Sequence, residues 1–200
     1  MNSLYRDAKI IERLSEAQDG VFSNADLKSI IDFSNSASLY RRIKNLTDNN
    51  ILRKFAAGFY VTEKFKPAVL SQRLCPRSYL SFGTVLAEEL VISSIPAKRV
   101  WAVKIGPTRE YTNQHFAVQQ FGIQSKYFFG FTNLNGVNRA TKEKAFIDTL
   151  YFYQSGVRFS FNIYSDINTD ILDNELIYSY LIFYQNPKFI SFVKGIIHGG

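Results

Sequence analysis

Between residues 4 and 62 the apolar side chains come in short runs, none of them long enough for more than about four helical turns. That brevity limits this stretch to small elements packed on one another. Leu4, Ala8, Ile11 and Leu14 recur at helical spacing and predict a first amphipathic helix ending near Asp19-Gly20. Ser23 is placed to cap a second helix, whose apolar positions are Leu27, Ile30 and Ile31. Asp32-Phe33-Ser34-Asn35 breaks it, and Ser36 is the expected cap of a third helix running to about Asp48. Ile51–Phe55 and Phe59–Thr62 read as strands, and Ala56-Ala57-Gly58 between them supplies the glycine a tight hairpin needs.

The remainder follows other periods. Residues 64–77 hold Pro67 and Pro76 and read as a joining segment. Tyr79–Leu90 reads as a helix, and Arg99–Ile105 as a strand stopped by Gly106-Pro107. Phe116–Phe121 is a further strand, followed by the aromatic run from Tyr127 to Phe131, and Asn135-Gly136 signals a hairpin. Thr141–Tyr153 reads as a helix closed by Gly156, and Val157–Tyr164 as a strand in two-residue alternation. Leu172, Leu176, Tyr180 and Phe183 mark a helix that Pro187 separates from a last one over Phe189–Ile197. The expected fold class is α+β, with a first domain at 1–66, a linker at 67–77 and a mixed α+β domain at 78–200.

Charge concentrates in one place. The chain carries a net +7, which favours a polyanionic partner only in a general way. From Ser36 to Lys66 there are seven Lys/Arg against two acids, a local +5, whereas the half from Pro76 onward has twelve against nine, only +3. On a helical wheel Leu39, Ile43 and Leu46 of the third helix share one face. Arg41 lies opposite, with Ser38, Lys44 and Asn45 beside it and Tyr40 and Arg42 flanking. Helix, helix, turn, basic helix and hairpin within about sixty residues is the order of a winged helix-turn-helix, whose second helix reads the DNA major groove. Arg and Lys suit guanine edges and phosphates, Asn suits adenine, and Ser and Tyr suit phosphate oxygens. The expected DNA-contacting residues are Ser36, Ser38, Tyr40, Arg41, Arg42, Lys44 and Asn45, with Arg53 and Lys54 at the base of the wing. Taken one by one, the same side chains also fit a solvated helix face, and a winged helix can instead bind protein.

Other chemistries find little support. Cys75 is the single cysteine, so no internal disulfide forms, and two distant histidines, His115 and His198, build no zinc site. No apolar run reaches the roughly 20 residues of a membrane span, and the first residues contain no apolar leader. A soluble, cytoplasmic protein is the expectation, with no cofactor and no metal. A winged helix fused to a nuclease is one rival, but from residue 76 onward no Asp or Glu is followed two residues later by the Lys that such metal sites commonly use. No phosphate-binding or dinucleotide loop is present either. A second rival is a repressor whose C-terminal half senses a small molecule.

Six segments carry a family resemblance. Ser38–Leu46, Ile51–Lys54 and Gly58–Thr62 resemble the N-terminal winged helix of the AbiEi family of bacterial antitoxins. Ser78-Tyr79-Leu80-Ser81-Phe82, Phe128-Phe129-Gly130-Phe131 and the run from Ala140 to Tyr151 resemble later motifs of that family, over about residues 4–155; the tail from about residue 157 onward offers no motif. The resemblance implies a type IV toxin–antitoxin system. Its N-terminal domain represses its own operon at promoter repeats in double-stranded DNA. Its C-terminal domain counteracts a nucleotidyltransferase-like toxin without a stable complex. Arg139, Lys142 and Lys144 are the expected exposed residues for that second activity. Phe146, Ile147 and Leu150 are at core spacing, and Glu143, Lys144 and Asp148 equally fit cap, surface and i,i+4 ion-pair roles.

Overall fold

The computed structural model describes residues 3–94, 98–114 and 116–198, so His115 lies outside the described residues. Among them, eight α-helices and two sheets form a mixed α+β fold. The chain divides into two compact units, one of residues up to Leu70 with Tyr111–Gln114, the other of Ser71–Glu110 with the residues that follow Gln114.

The first unit contains α1 (Ser3–Ser15), β1 (Val21–Ser23), α2 (Asn24–Ile30), α3 (Ser36–Asp48), β2 (Arg53–Ala56) and β3 (Phe59–Val61). Each helix exists for a local reason. Ser23 caps α2 as expected, in a reciprocal box with Asp26. The cap of α3 is Asn35 rather than Ser36: its side chain accepts the Ser38 N–H at 2.9 Å, and the Ser38 hydroxyl accepts the Asn35 N–H. The strands form an antiparallel sheet in the order β1-β3-β2. β1 escaped the sequence reading because three residues are too few to show a period. Ile11, Phe22, Leu27, Ile31, Leu39, Ile43, Leu46, Leu52 and Tyr60 make one core. Gly20 has a φ of +70°, and a Cβ there would meet the Phe65 Cα at 2.6 Å, so the turn after α1 closes only with glycine.

α4 (Pro67–Leu74) carries the chain from the first unit into the second. It occupies most of the segment expected to be a linker. Pro67 is its first residue, the one helical position where a missing N–H costs nothing. The chain continues with β4 (Ser78–Leu80), α5 (Phe82–Glu88), β5 (Arg99–Ile105), β6 (Arg109–Thr112), β7 (Ala117–Ile123), β8 (Phe131–Leu134) and β9 (Val137–Ala140). Then come α6 (Lys142–Gln154), α7 (Asn174–Leu181) and α8 (Pro187–His198). The sheet order is β6-β7-β5-β4-β9-β8, with β5 parallel to β7 and β4 parallel to β9. Asn135 and Gly136, both at positive φ, make the expected β8–β9 hairpin.

Tyr79–Leu90 is not one helix: Ser78, Tyr79 and Leu80 form a central strand, buried at every residue, and the helix starts only at Phe82. A fully buried strand has no alternation to betray it. Val157–Tyr164 belongs to no strand among the described residues. Its alternation is real as burial, since Phe159 meets Trp101 edge-on and Phe161 meets it at a tilt, but among the described residues no neighbouring strand pairs with it. Among the described residues no helix is long and apolar enough to cross a membrane.

Candidate nucleic-acid interface

The seam of α3 is buried as the wheel requires: Leu39 is 7% exposed, Ile43 3% and Leu46 0%. Tyr40, Arg41, Lys44 and Asn45 are exposed on the rest of its surface. The side chains of Tyr40, Arg41 and Asn45 make no hydrogen bond or ion pair among the described residues. Lys44 is engaged, though loosely, since its Nζ bonds Asp48 one turn on at 2.5 Å with both side chains more than half exposed. Ser36 is exposed at the helix start. The Ser38 hydroxyl is already occupied, accepting from the Ser34 and Asn35 N–H groups and donating to the Asn35 carbonyl. On β2, Lys54 is exposed and Arg53 half-buried, beside the bulge that interrupts the β2–β3 pairing between Lys54 and Ala56.

Arg42 departs from the expectation. Its guanidinium turns inward, donating Nε–H to Asp7 Oδ2 at 2.7 Å and Nη2–H to Asp7 Oδ1. Nη1 donates to the Asp32 carbonyl. The Asp7 side chain is 1% exposed and that of Arg42 16%. This is a forked, largely desolvated pair, and it commits three of the guanidinium's five N–H groups to partners inside the unit. Burial lowers the Arg42 pKa less than its hydrogen bond to Asp7 raises it.

The three cations expected to serve antitoxicity do not form a patch. Arg139 is held by Glu88 and Glu89. Lys142 Nζ donates to the Ile171 carbonyl at 2.5 Å and remains partly accessible. Arg139 and Lys142 line an open cleft of about 700 Å³ with Glu88, Glu89 and Thr132. Lys144 is wholly buried, against the expectation of exposure. It pairs with Asp148, also wholly buried, whose Oδ2 accepts from Ser81 Oγ at 2.8 Å and from Tyr79 OH at 3.1 Å. Lys144 Nζ also lies 3.4 Å from Tyr184 OH and 5.0 Å from the centre of the Phe129 ring. Burial pushes the lysine down and the carboxylate up, and their mutual attraction pulls each back towards its charged form.

That cluster joins the three separate motifs of the second half. Tyr79 and Ser81 come from β4 and its exit, Phe129 and Gly130 from the aromatic run, and Lys144 and Asp148 from α6. Gly130 sits at φ +72°, and a Cβ there would lie 3.0 Å from the Lys144 stem. Its carbonyl accepts the N–H of Thr141, which in turn caps α6.

No family model matches this chain, and no curated protein matches it.

Asp7 is the residue the sequence reading overlooked. It sits three residues after Leu4 and four before Ile11, on the apolar seam of α1, and a carboxylate there requires a cation. Lys144 misled in the opposite sense. α6 buries nine of its thirteen residues, so it has no polar face from which a surface lysine could be told apart.

Proposed function

We propose that the first unit is a winged helix-turn-helix that binds double-stranded DNA with α3 in the major groove, and that the chain is a transcriptional autorepressor of the AbiEi type. The observation that carries the DNA reading is the split character of α3. One face is sealed in the core, while the side chains of Tyr40, Arg41 and Asn45 on the other make no hydrogen bond or ion pair among the described residues. Side chains with unspent hydrogen-bonding capacity on a rigid, capped helix are what base and phosphate recognition requires. The β2–β3 hairpin follows α3 directly and presents Lys54 as a wing cation.

The antitoxin half of the proposal rests on the resemblance of the three motifs in the second unit. It assigns that unit the neutralisation of a nucleotidyltransferase-like toxin without a stable complex. With Lys144 internal, Lys142 and Arg139 beside the open cleft are the remaining surface candidates. Mobility shifts of the full chain on DNA from its own promoter, over a salt series, test DNA binding: affinity should fall steeply with salt. Co-expression with the neighbouring toxin, scoring growth, tests the second activity. Absence of binding at low salt refutes the DNA reading, and absence of rescue by the intact chain refutes the antitoxin reading.

A further inference from the structure

Arg42 and Arg41 are adjacent in sequence, equally basic, and opposite in fate. Arg42 uses three of its N–H groups on two other segments: the Asp7 carboxylate of α1, and the Asp32 carbonyl just after α2. A second arginine reinforces the junction, Arg6 Nη2 bonding Asp32 Oδ2 at 3.0 Å. α1, the α2–α3 turn and α3 therefore meet at one guanidinium. α1 and α3 also share an apolar core through Ile11, Leu39, Ile43 and Leu46, and apolar contacts tolerate rolling and sliding where a forked ion pair does not.

We infer that the Asp7–Arg42 pair is the positioning element of the DNA-reading helix: it fixes the roll of α3, and so the direction in which Tyr40, Arg41 and Asn45 point. This rests on the DNA-binding reading above. Successive residues on a helix are 100° apart, so holding Arg42 inward fixes Arg41 and Asn45 outward. A helix with its side chains has a radius of about 5–6 Å, so a roll of about 20° moves the outer groups by about 2 Å. That displacement exceeds what a bidentate contact to a base edge survives. Contacts to the phosphate backbone are less demanding, because a flexible cation can follow its target. Loss of the pair should therefore damage sequence discrimination more than general DNA affinity.

The test compares Asp7→Asn, Arg42→Ala and Arg41→Ala in the full chain. Each is measured on promoter DNA and on unrelated DNA over a salt series, at a temperature where circular dichroism finds the variant folded. Asp7→Asn keeps the shape of the side chain and provides the measurement if Arg42→Ala does not fold. A positioning pair predicts that Asp7→Asn lowers the specific-to-nonspecific ratio about tenfold or more, with the salt slope unchanged. Arg41→Ala should instead reduce the slope by about one. If Arg42 contacted phosphate, Arg42→Ala would reduce the slope and Asp7→Asn, by releasing the guanidinium, would leave binding equal or stronger. That result overturns the inference. A purely structural role would lower specific and unrelated binding in equal proportion, which overturns it too. Lack of binding by the unaltered protein sinks the DNA reading instead, so the two failures are distinct.

Discussion

Replacing Lys144 by methionine should destabilise the second unit by about 3–5 kcal/mol at pH 7, because it strands a carboxylate in the core. Lys144 and Asp148 are both 0% exposed, and without the lysine Asp148 keeps only the hydroxyls of Tyr79 and Ser81. A stranded carboxylate has one escape, which is to take up a proton. From its ordinary pKa of 3.8 that costs about 1.4 kcal/mol for each pH unit above it, or about 4 kcal/mol at pH 7. The two estimates agree, and the second makes the penalty depend on pH. In the variant burial, opposed only by the hydrogen bonds from Ser81 and Tyr79, raises the folded pKa of Asp148 above the unfolded one. The stability it contributes is then full below the unfolded pKa and lost as pH rises through the folded one. The deficit relative to the unaltered protein should shrink by about 1.4 kcal/mol per unit as pH falls from 7 towards 5. Adding Asp148→Asn removes the charge while keeping an acceptor for the two hydroxyls, and should restore most of the loss. Urea unfolding followed through the single tryptophan, Trp101, which is 3% exposed in the same unit, measures each value. A Lys144→Met protein within about 1 kcal/mol of the original at pH 7, or a deficit indifferent to pH, refutes the account.

Arg41→Ala should lower the salt slope of promoter binding by about one unit, and Lys44→Ala by less, since Lys44 already shares its charge with Asp48; equal effects would contradict the difference between them. Gly130→Ala should cost more than about 1 kcal/mol in chemical denaturation, from positive φ and contact with the Lys144 stem together. Burial raises the Tyr184 pKa far above its ordinary 10.0, so its contribution to stability is full below pH 10 and is lost above it. Tyr184→Phe should flatten the decline of stability between pH 10 and 12 by about 1.4 kcal/mol per pH unit, measurable by denaturation at a series of alkaline pH values.

What could be read from the residues depended on how one-sided each element is. α1 and α3 face a core on one side and water on the other, so their seams, the Ser23 cap and the Asn135-Gly136 turn were legible. β4 is buried at every residue and α6 at nine of thirteen, and nothing in their pattern separates strand from helix or an inward lysine from an outward one. The same holds on α3. Arg41 and Arg42 look alike until the acid on the seam of α1 is noticed, because their difference lies in a partner 35 residues away in the chain. α4 and β6 were missed for a simpler reason: prolines and polar residues there resemble a connection until something packs against them.

The wiring of the second unit also decides when it can exist. The first unit closes its core by Tyr60, from contacts among neighbours in the chain. β4 lies in the middle of its sheet, yet its parallel partner comes much later, with Leu80 opposite Arg139, and Tyr79 waits 69 residues for Asp148. At about 5–20 residues per second of synthesis, that interval lasts roughly 3–14 s. Throughout it the core that ends at Tyr60 can already be closed on the ribosome while Tyr79 and Ser81 remain unfinished and wet. A chain cut short before α6 would carry the α3 face without a finished second unit.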